Sequence, residues 1–272
     1  MCRNVDVQNC TISDNRSQWE TAAGIDCDNY NGVVRIQNCI INNNFYGTNN
    51  NNLTERNWSQ SSTNFEWSSS CTTPNPGGSG NITNAPLFMD PAREDYRLKH
   101  GSPCIDAGVF WTGMTTDVAG TPRPLDGDLD GLAQPDIGAY EYDPRQTDSD
   151  GDRLSDYDEL ATHATNPDAN DSDEDGMGDG AEIQAGCLPN DSSSLLVIRH
   201  AAEDVLLNTE QGFPLRWPSI AGRRYNVLRA SDLTEGFSLL QSNIEATPPE
   251  NIYLDAAALQ GDCFFYQIEL AP

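Results

Sequence analysis

The 272-residue sequence predicts an all-β protein that begins with coils of a parallel β-helix and ends with a small antiparallel β-sandwich. Three observations predict this class: a 29-residue repeat of short strands, a doubled acidic pattern near the middle, and alternating apolar residues in the tail. The predicted parts are coils over 1–100, a closing segment over 101–145, acidic repeats with short helical turns over 146–192, and the sandwich over 193–272.

The repeat is the first element. Residues 5–15 align with residues 34–44 at an offset of 29, with six identities in eleven positions and an alternation of apolar and polar residues. Repeats of short strands joined by Asn-rich corners are typical of a parallel β-helix, in which each coil stacks on the one before it. Because the first copy begins partway through a strand, we expect further coils before Met1.

Stacking would place Cys10 over Cys39, since register-equivalent residues of neighbouring coils lie about 4.8 Å apart. That separation allows either a disulfide or two stacked thiols. Free cysteine is among the most buried residue types, which favours the stack. The sequence leaves both alternatives open.

The segment over 64–142 carries a family resemblance. Its characteristic phrases are residues 70–74, 80–82, 86–88, 95–98, 101–108 and 136–141. They resemble the last coils of bacterial right-handed β-helix proteins of the polymorphic outer-membrane and cell-surface type. The resemblance implies a right-handed solenoid that ends here, a location at the cell surface or outside the cell, and a disulfide between Cys71 and Cys104, which lie in two of the phrases.

The acidic pattern occurs twice, 23 residues apart. It places carboxylates at loop positions 1, 3, 5, 9 and 12. The first copy consists of Asp148, Asp150, Asp152, Asp156 and Glu159, and the second of Asp171, Asp173, Asp175, Asp179 and Glu182. With this spacing a calcium loop surrounds one cation with oxygen ligands and closes with a bidentate Glu. We therefore predict two Ca²⁺ sites, with Asp168 and Asp191, at matching offsets beyond each closing Glu, as further ligands.

The charge of this segment supports a bound cation. Between Thr147 and Asp191 there are fourteen acidic residues and a single basic one, Arg153. Two carboxylates about 4 Å apart repel by roughly 1 kcal/mol in water and by about 4 kcal/mol at an effective dielectric near 20. A divalent ion removes that repulsion. The alternative is a solvated acidic linker, but disorder does not require a repeated register.

Position 6 distinguishes the two loops. It is Gly176 in the second loop and Arg153 in the first. A residue with a Cβ costs about 1 kcal/mol if this position is left-handed, so the first site is expected to be weaker or differently shaped.

The flanking sequence differs from that of an EF-hand. Pro135, Gly138 and Pro144 exclude a helix before the first loop, and only short helical turns fit afterwards, near 157–163 and 181–185. With no helix before the loop and only short helical turns after it, the segment resembles thrombospondin type 3 calcium repeats. The resemblance covers the acidic stretch alone.

A third acidic run lacks the closing ligand. It consists of Asp126, Asp128, Asp130 and Gly131. Positions 9 and 12 are Gln134 and Ile137, which provide no carboxylate. This run is interpreted as a polar turn.

The tail shows the two-residue period of strands. Apolar residues alternate at Leu215 and Trp217, at Tyr225 and Val227, and from Phe264 to Leu270, and turn residues separate these runs. This pattern indicates a small antiparallel β-sandwich. Its aromatic residues are expected in the core and not on a sugar-binding surface.

Composition limits the classes of partner. A net charge of −27 disfavours nucleic acid and anionic membranes, and no stretch approaches the ~18 consecutive apolar residues of a membrane span. Calcium loops and eight cysteines both indicate a secreted or cell-surface protein. The expected partner is an extracellular carbohydrate or protein, contacted through loops such as the Asn-rich run 49–52. The oligomeric state stays open.

The search for an active site favours a non-enzymatic protein. Asp26 and Asp28 would share one face of a strand and form the best candidate pair of carboxylates, although a solvated strand face is the favoured explanation for them. The three histidines, His100, His163 and His200, have no spacing typical of a metal site or a catalytic triad. The alternative is a carbohydrate-active enzyme, a polysaccharide lyase or glycoside hydrolase, with catalytic coils upstream.

The acidic repeats over 146–192 are expected to connect the two β parts. Chelation of calcium is expected to release this connector while both flanking β parts stay folded.

Overall fold

The computed structural model describes residues 4–18, 23–27, 32–47, 53–60, 65–199, 212–232, 234, 236–258 and 264–271. These residues are mostly strand with few helices, in agreement with the predicted all-β class. The chain divides into two compact units, Met1–Thr162 and His163–Pro272. None of the described helices combines the length and apolar character needed to cross a membrane.

The first unit is built largely from parallel strands. Its strands are β1 (Val5–Gln8), β2 (Thr11–Ser13), β3 (Arg16–Ser17), β4 (Ile25–Cys27), β5 (Val34–Gln37), β6 (Ile40–Asn42), β7 (Phe45–Tyr46), β8 (Thr54–Glu55), β9 (Trp58–Gln60), β10 (Phe65–Ser68), β11 (Cys71–Thr72), β12 (Phe88–Asp90) and β13 (Asp95–Leu98). Two parallel sheets have the orders β1-β5-β10 and β2-β6-β11. The pairs β3–β7 and β4–β9 are also parallel, whereas β7–β8 and β12–β13 are antiparallel.

The register of these sheets confirms the predicted alignment of the repeat. Val5 of β1 pairs with Val34 of β5 at a step of 29, and Phe65 of β10 pairs with the same Val34. At the corner after these strands, Asn9 and Asn38 have left-handed φ values of 48° and 51°. Asn tolerates this conformation better than most residues, and the Asn38 amide donates to Asn9 Oδ1 at 3.1 Å. The repeated Asn therefore marks a repeated turn.

The sheet of β2, β6 and β11 is covered on both faces. Successive side chains of a strand point to opposite faces, so Ile41 joins one core cluster and Ile40 the other. The first cluster contains Val34, Ile36, Cys39, Ile41 and Trp67. The second contains Ile40, Cys71, Leu98, Cys104, Ile137 and Tyr142. The second cluster packs residues 98–142 against the face of this sheet that carries Ile40, which we call its outer face.

Four cysteines of the first unit, Cys10, Cys39, Cys71 and Cys104, are free thiols. Cys71 and Cys104 lie as free thiols in the second cluster, so the disulfide implied by the family resemblance is not formed in the structure. The Cys71 thiol instead has an acceptor in the carbonyl of Asn84 at 3.2 Å. Cys10 and Cys39 are also neighbouring thiols, in agreement with the favoured stack.

The second unit contains antiparallel strands. They are β14 (Phe213–Pro218), β15 (Arg224–Ala230), β16 (Ser238–Glu245), β17 (Glu250–Asp255) and β18 (Phe265–Leu270). β14 pairs with β17, and the second sheet has the order β16-β15-β18. Leu215 and Trp217 of β14 share a fully buried cluster with Tyr225 and Val227 of β15. The predicted alternation and the core position of these aromatic side chains are therefore confirmed.

The described helices are short. They are α1 (Asp156–Asp158), which continues into a π-helical turn (Glu159–His163), α2 (Asp179–Ala185), and the 3₁₀ turns Pro91–Arg93 and Ala256–Ala258. α1 and α2 lie where short helical turns were predicted after each acidic loop. Because each helix begins at loop position 9, it carries the residues at positions 9 and 12 on neighbouring turns of one face.

Candidate metal centres

The structure brings together the first three acids of each acidic loop. One carboxylate oxygen from each of positions 1, 3 and 5 lies within 4.8 Å of the others. The two clusters are Asp148, Asp150 and Asp152, and Asp171, Asp173 and Asp175. Oxygens that all contact one ion at about 2.4 Å are separated by no more than twice that distance. Both clusters could therefore hold a metal ion.

Backbone amides hold the clusters in shape. The N–H group of position 6 donates to the position 1 carboxylate: Arg153 to Asp148 at 3.1 Å, and Gly176 to Asp171 at 2.8 Å. Both donors have left-handed φ values, 84° for Arg153 and 96° for Gly176. Position 6 is thus left-handed in both loops, and at Arg153 this conformation costs the first loop about 1 kcal/mol relative to glycine.

Each loop leaves inward oxygens without donors. Asp150 accepts the N–H of Asp152 through Oδ1, while its Oδ2 is buried and has no hydrogen-bond partner. In the second loop the same holds for Asp173, whose Oδ1 accepts from Asp175, and for Asp175, whose Oδ1 accepts from Met177. Protein hydrogen bonds therefore occupy one oxygen of these carboxylates, and the other oxygen is available to a cation.

The closing glutamates are fully buried. Glu159 and Glu182 each have 0% of their surface exposed. Neither oxygen of Glu182 has a hydrogen-bond partner. Burial, followed by the charges of Asp175 and Asp173, raises the pKa of Glu182 to about 7. Burial likewise raises the pKa of Asp150 to about 6, with the charge of Asp152 acting in the same direction. The loops are thus unfavourable places for carboxylates unless they hold a proton or a cation.

The acids at position 9 are hydrogen-bonded to the serine at position 2 of their own loop. Asp156 accepts the N–H and the hydroxyl of Ser149 at 2.8 and 2.7 Å. Asp179 accepts the same two groups of Ser172 at 2.9 and 2.6 Å. Each oxygen of these two carboxylates accepts a hydrogen bond, as does each oxygen of Asp148 and Asp171 at position 1. The position 9 acids differ from the position 1 acids in lying outside the three-acid clusters. These aspartates hold position 2 of the loop in place and thereby position the ligands on either side of it.

The outer acids predicted as further ligands are not part of the clusters. Asp168 and Asp191 are both exposed. The carboxylate of Asp191 accepts the N–H and hydroxyl of Ser193 at 3.1 and 2.6 Å, and these hydrogen bonds lower its pKa.

The third acidic run, interpreted from the sequence as a polar turn, contributes to a three-acid cluster that the sequence did not reveal, and Oδ1 of Asp126 is buried there without a hydrogen-bond partner. Asp126 and Asp128 are joined by Asp106, from the phrase 101–108. Asp106 accepts the N–H groups of Gly127, Asp128 and Gln134. Ile137, at position 12, lies in the hydrophobic core. Three backbone donors satisfy Asp106, so this carboxylate acts as the anchor of the turn.

The two acidic loops belong to different compact units. The first ends at Glu159 within Met1–Thr162, and the second lies within His163–Pro272. The sequence had placed both in one connector between two β parts. The candidate carboxylate Asp26 is exposed on β4, whereas Asp28, His200 and the run 49–52 lie outside the described residues.

In comparisons with known proteins, no protein-family model, no curated protein and no solved structure matched this chain.

Proposed function

We propose that this chain belongs to a non-enzymatic, secreted or cell-surface protein in which Ca²⁺ ions, one in each acidic loop, stabilise the fold. The observation that carries this proposal is the state of Glu182, whose buried carboxylate has no hydrogen-bond donor on either oxygen. An ionised carboxylate in this position is strongly destabilising unless it is paired. A cation held by Asp171, Asp173, Asp175 and Glu182 supplies the missing charge.

The donor set favours calcium over other biological cations. Every member of the two clusters is an aspartate, and each loop closes with a buried glutamate. Zinc prefers nitrogen and sulfur ligands, and magnesium usually keeps several waters in a near-ideal octahedron. A loop that provides many carboxylate and carbonyl oxygens and ends in a potentially bidentate Glu suits the larger coordination number of Ca²⁺.

We further propose that the parallel sheets form the end of a right-handed β-helix and that the tail is a small β-sandwich. The register steps between β1, β5 and β10 and the buried Asn corners support the first assignment. Crossovers between parallel strands of one sheet are right-handed in nearly every known case. The core shared by β14 and β15, which lie in different sheets, supports the second.

The same features support an extracellular location. Calcium loops of modest affinity are occupied where free calcium is millimolar. The negative charge of the protein repels anionic partners such as nucleic acid. The proposed partner is a carbohydrate or protein outside the cell.

Titration calorimetry tests the number of sites. Wild-type protein is expected to bind two Ca²⁺ per chain, and the pairs D148N/D150N and D171N/D173N are each expected to bind one. D158N/E174Q, which changes two exposed acids outside the cluster positions, is the matched control and should still bind two. The proposal is wrong if wild-type heat and stoichiometry equal those of a variant carrying both Asp-to-Asn pairs.

The pKa shifts predict opposite pH profiles for the metal-free and calcium-loaded protein. Folding raises the pKa of Glu182 from 4.5 to about 7 and that of Asp150 from 3.8 to about 6. These groups bind protons more tightly when folded, so their contribution to stability is present below their unfolded pKa values and is lost as the pH rises through their folded values. Calcium needs the ionised carboxylates, so its stabilising effect increases over that range.

Urea unfolding of metal-stripped protein at about pH 5 and about pH 8 measures this difference. The midpoint is expected to fall with rising pH without calcium and to rise with calcium present. A metal-free midpoint that increases toward pH 8 would contradict the prediction.

A further inference from the structure

The first acidic loop is hydrogen-bonded to the core of its own unit through Tyr142. This side chain is 2% exposed and belongs to the hydrophobic cluster that includes Cys104 and Ile137. Its backbone N–H donates to the buried carboxylate of Asp136 at 2.6 Å. Tyr142 therefore belongs to residues 98–142, which cover the outer face of the β2-β6-β11 sheet. We call residues 98–142 the covering segment.

The Tyr142 hydroxyl donates to Oδ2 of Asp156, at position 9 of the first loop, over 2.5 Å. Asp156 also holds Ser149, the residue between the candidate ligands Asp148 and Asp150. One carboxylate thus links the loop to the aromatic ring of the core. Because Asp156 is fully buried, water does not readily replace these bonds.

A second bond connects the same two parts. The Ser149 hydroxyl accepts the backbone N–H of His100 at 2.9 Å, across a sequence separation of 49 residues. Ser149 is therefore held by the covering segment from one side and by Asp156 from the other. Any reorganisation of the loop that moves Ser149 disturbs both connections.

The second loop has a nearby donor at the corresponding serine. Its Ser172 hydroxyl accepts the N–H of Asn166, only six residues away. The residue at the offset of Tyr142 is Thr165, which has no phenol group. The serine–aspartate pair is present in both loops, and in the first loop this pair also accepts the Tyr142 hydroxyl and the His100 N–H.

We infer that Ca²⁺ in the first loop regulates the packing of the covering segment on the β2-β6-β11 sheet, with Ser149, Asp156 and Tyr142 as positioning residues. This inference rests on the proposed calcium function. An ion that fixes Asp148 and Asp150 fixes Ser149 between them, and thereby the acceptor of the Tyr142 hydroxyl. By linkage, packing of the covering segment strengthens calcium binding by the factor by which calcium strengthens packing.

Hydrogen–deuterium exchange of the full chain tests this coupling. Calcium is expected to slow exchange in peptides from 98–108 and 134–142 by about tenfold, the effect of one hydrogen bond to a charged group. Y142F and S149A are expected to lose most of that slowing. S172A makes the same change in the second loop and should retain it, as should Y157F, which removes a phenol oxygen from α1.

The outcomes separate the two proposals. Equal calcium-dependent slowing in wild type, Y142F and S149A would overturn the coupling, while calorimetry that still shows two bound Ca²⁺ would leave the proposed function intact. Wild-type protein that binds no Ca²⁺ would overturn both. Y142F and S149A remove the hydroxyl groups on either side of Asp156. The same loss of calcium-dependent slowing in both variants would therefore not result from a local folding defect in one of them.

Discussion

Removal of calcium is expected to lower the unfolding temperature of both compact units by roughly 10 °C each. One ion at a hundred times its dissociation constant contributes about 2.7 kcal/mol to the stability of the state that binds it, and 1 kcal/mol shifts a domain of this size by about 4 °C. Each unit contains one acidic loop. Both transitions should therefore shift, in contrast to the expectation from sequence that the β parts would be unaffected.

Scanning calorimetry in millimolar calcium and in excess EGTA measures this effect. Magnesium at the same concentration is the control and is expected to restore only a small part of the shift, because it dehydrates reluctantly. D148N/D150N should remove the calcium response of one transition, and D171N/D173N that of the other. Superimposable melting curves with and without calcium would refute the expectation.

Substitution of Glu182 by Gln is expected to change stability in opposite directions with and without calcium. Without the ion, the variant removes a buried carboxylate that faces Asp173 and Asp175, so the second unit should become more stable. With the ion, it removes the closing ligand, and we expect the affinity of this loop to fall roughly a hundredfold, equivalent to about 2.8 kcal/mol.

E174Q is the matched control for this experiment. Glu174 lies between Asp173 and Asp175, but its side chain is exposed, so its neutralisation should change the affinity only slightly. Calorimetric titration and urea unfolding of both variants, with and without calcium, complete the comparison. If E182Q destabilises the metal-free protein as much as the calcium-loaded protein, Glu182 is a structural residue and not a ligand.

Local spacing was sufficient to predict the parts of the molecule that depend on neighbouring residues. The step between Val5 and Val34 follows from two similar strand sequences, and the alternation at Leu215 and Trp217 follows from the pleat of a strand. The convergence of positions 1, 3 and 5 in each acidic loop is similarly local, because backbone amides a few residues away orient those carboxylates.

Local spacing could not predict the roles of residues whose partners lie far away in the sequence. Asp106 meets Asp126 across twenty residues, and Cys71 and Cys104 meet as thiols inside a core that neither neighbourhood specifies. Asp156 has the spacing of a ligand, and the structure adds that its Oδ2 accepts hydrogen bonds from Ser149 and Tyr142. The competing donor comes from a separate segment, so the local pattern cannot reveal it.

The sequence by itself determined the all-β class, the 29-residue register and the two acidic loops, since each depends on geometry that repeats along a few adjacent residues. Only the tertiary structure decided which unit holds each loop and which carboxylates keep a free oxygen. The physical reason is that burial and hydrogen-bond competition are set by side chains that packing brings together from far apart in the chain. Glu182 shows this most clearly, because its carboxylate is buried without a hydrogen-bond donor and its negative charge therefore requires a cation.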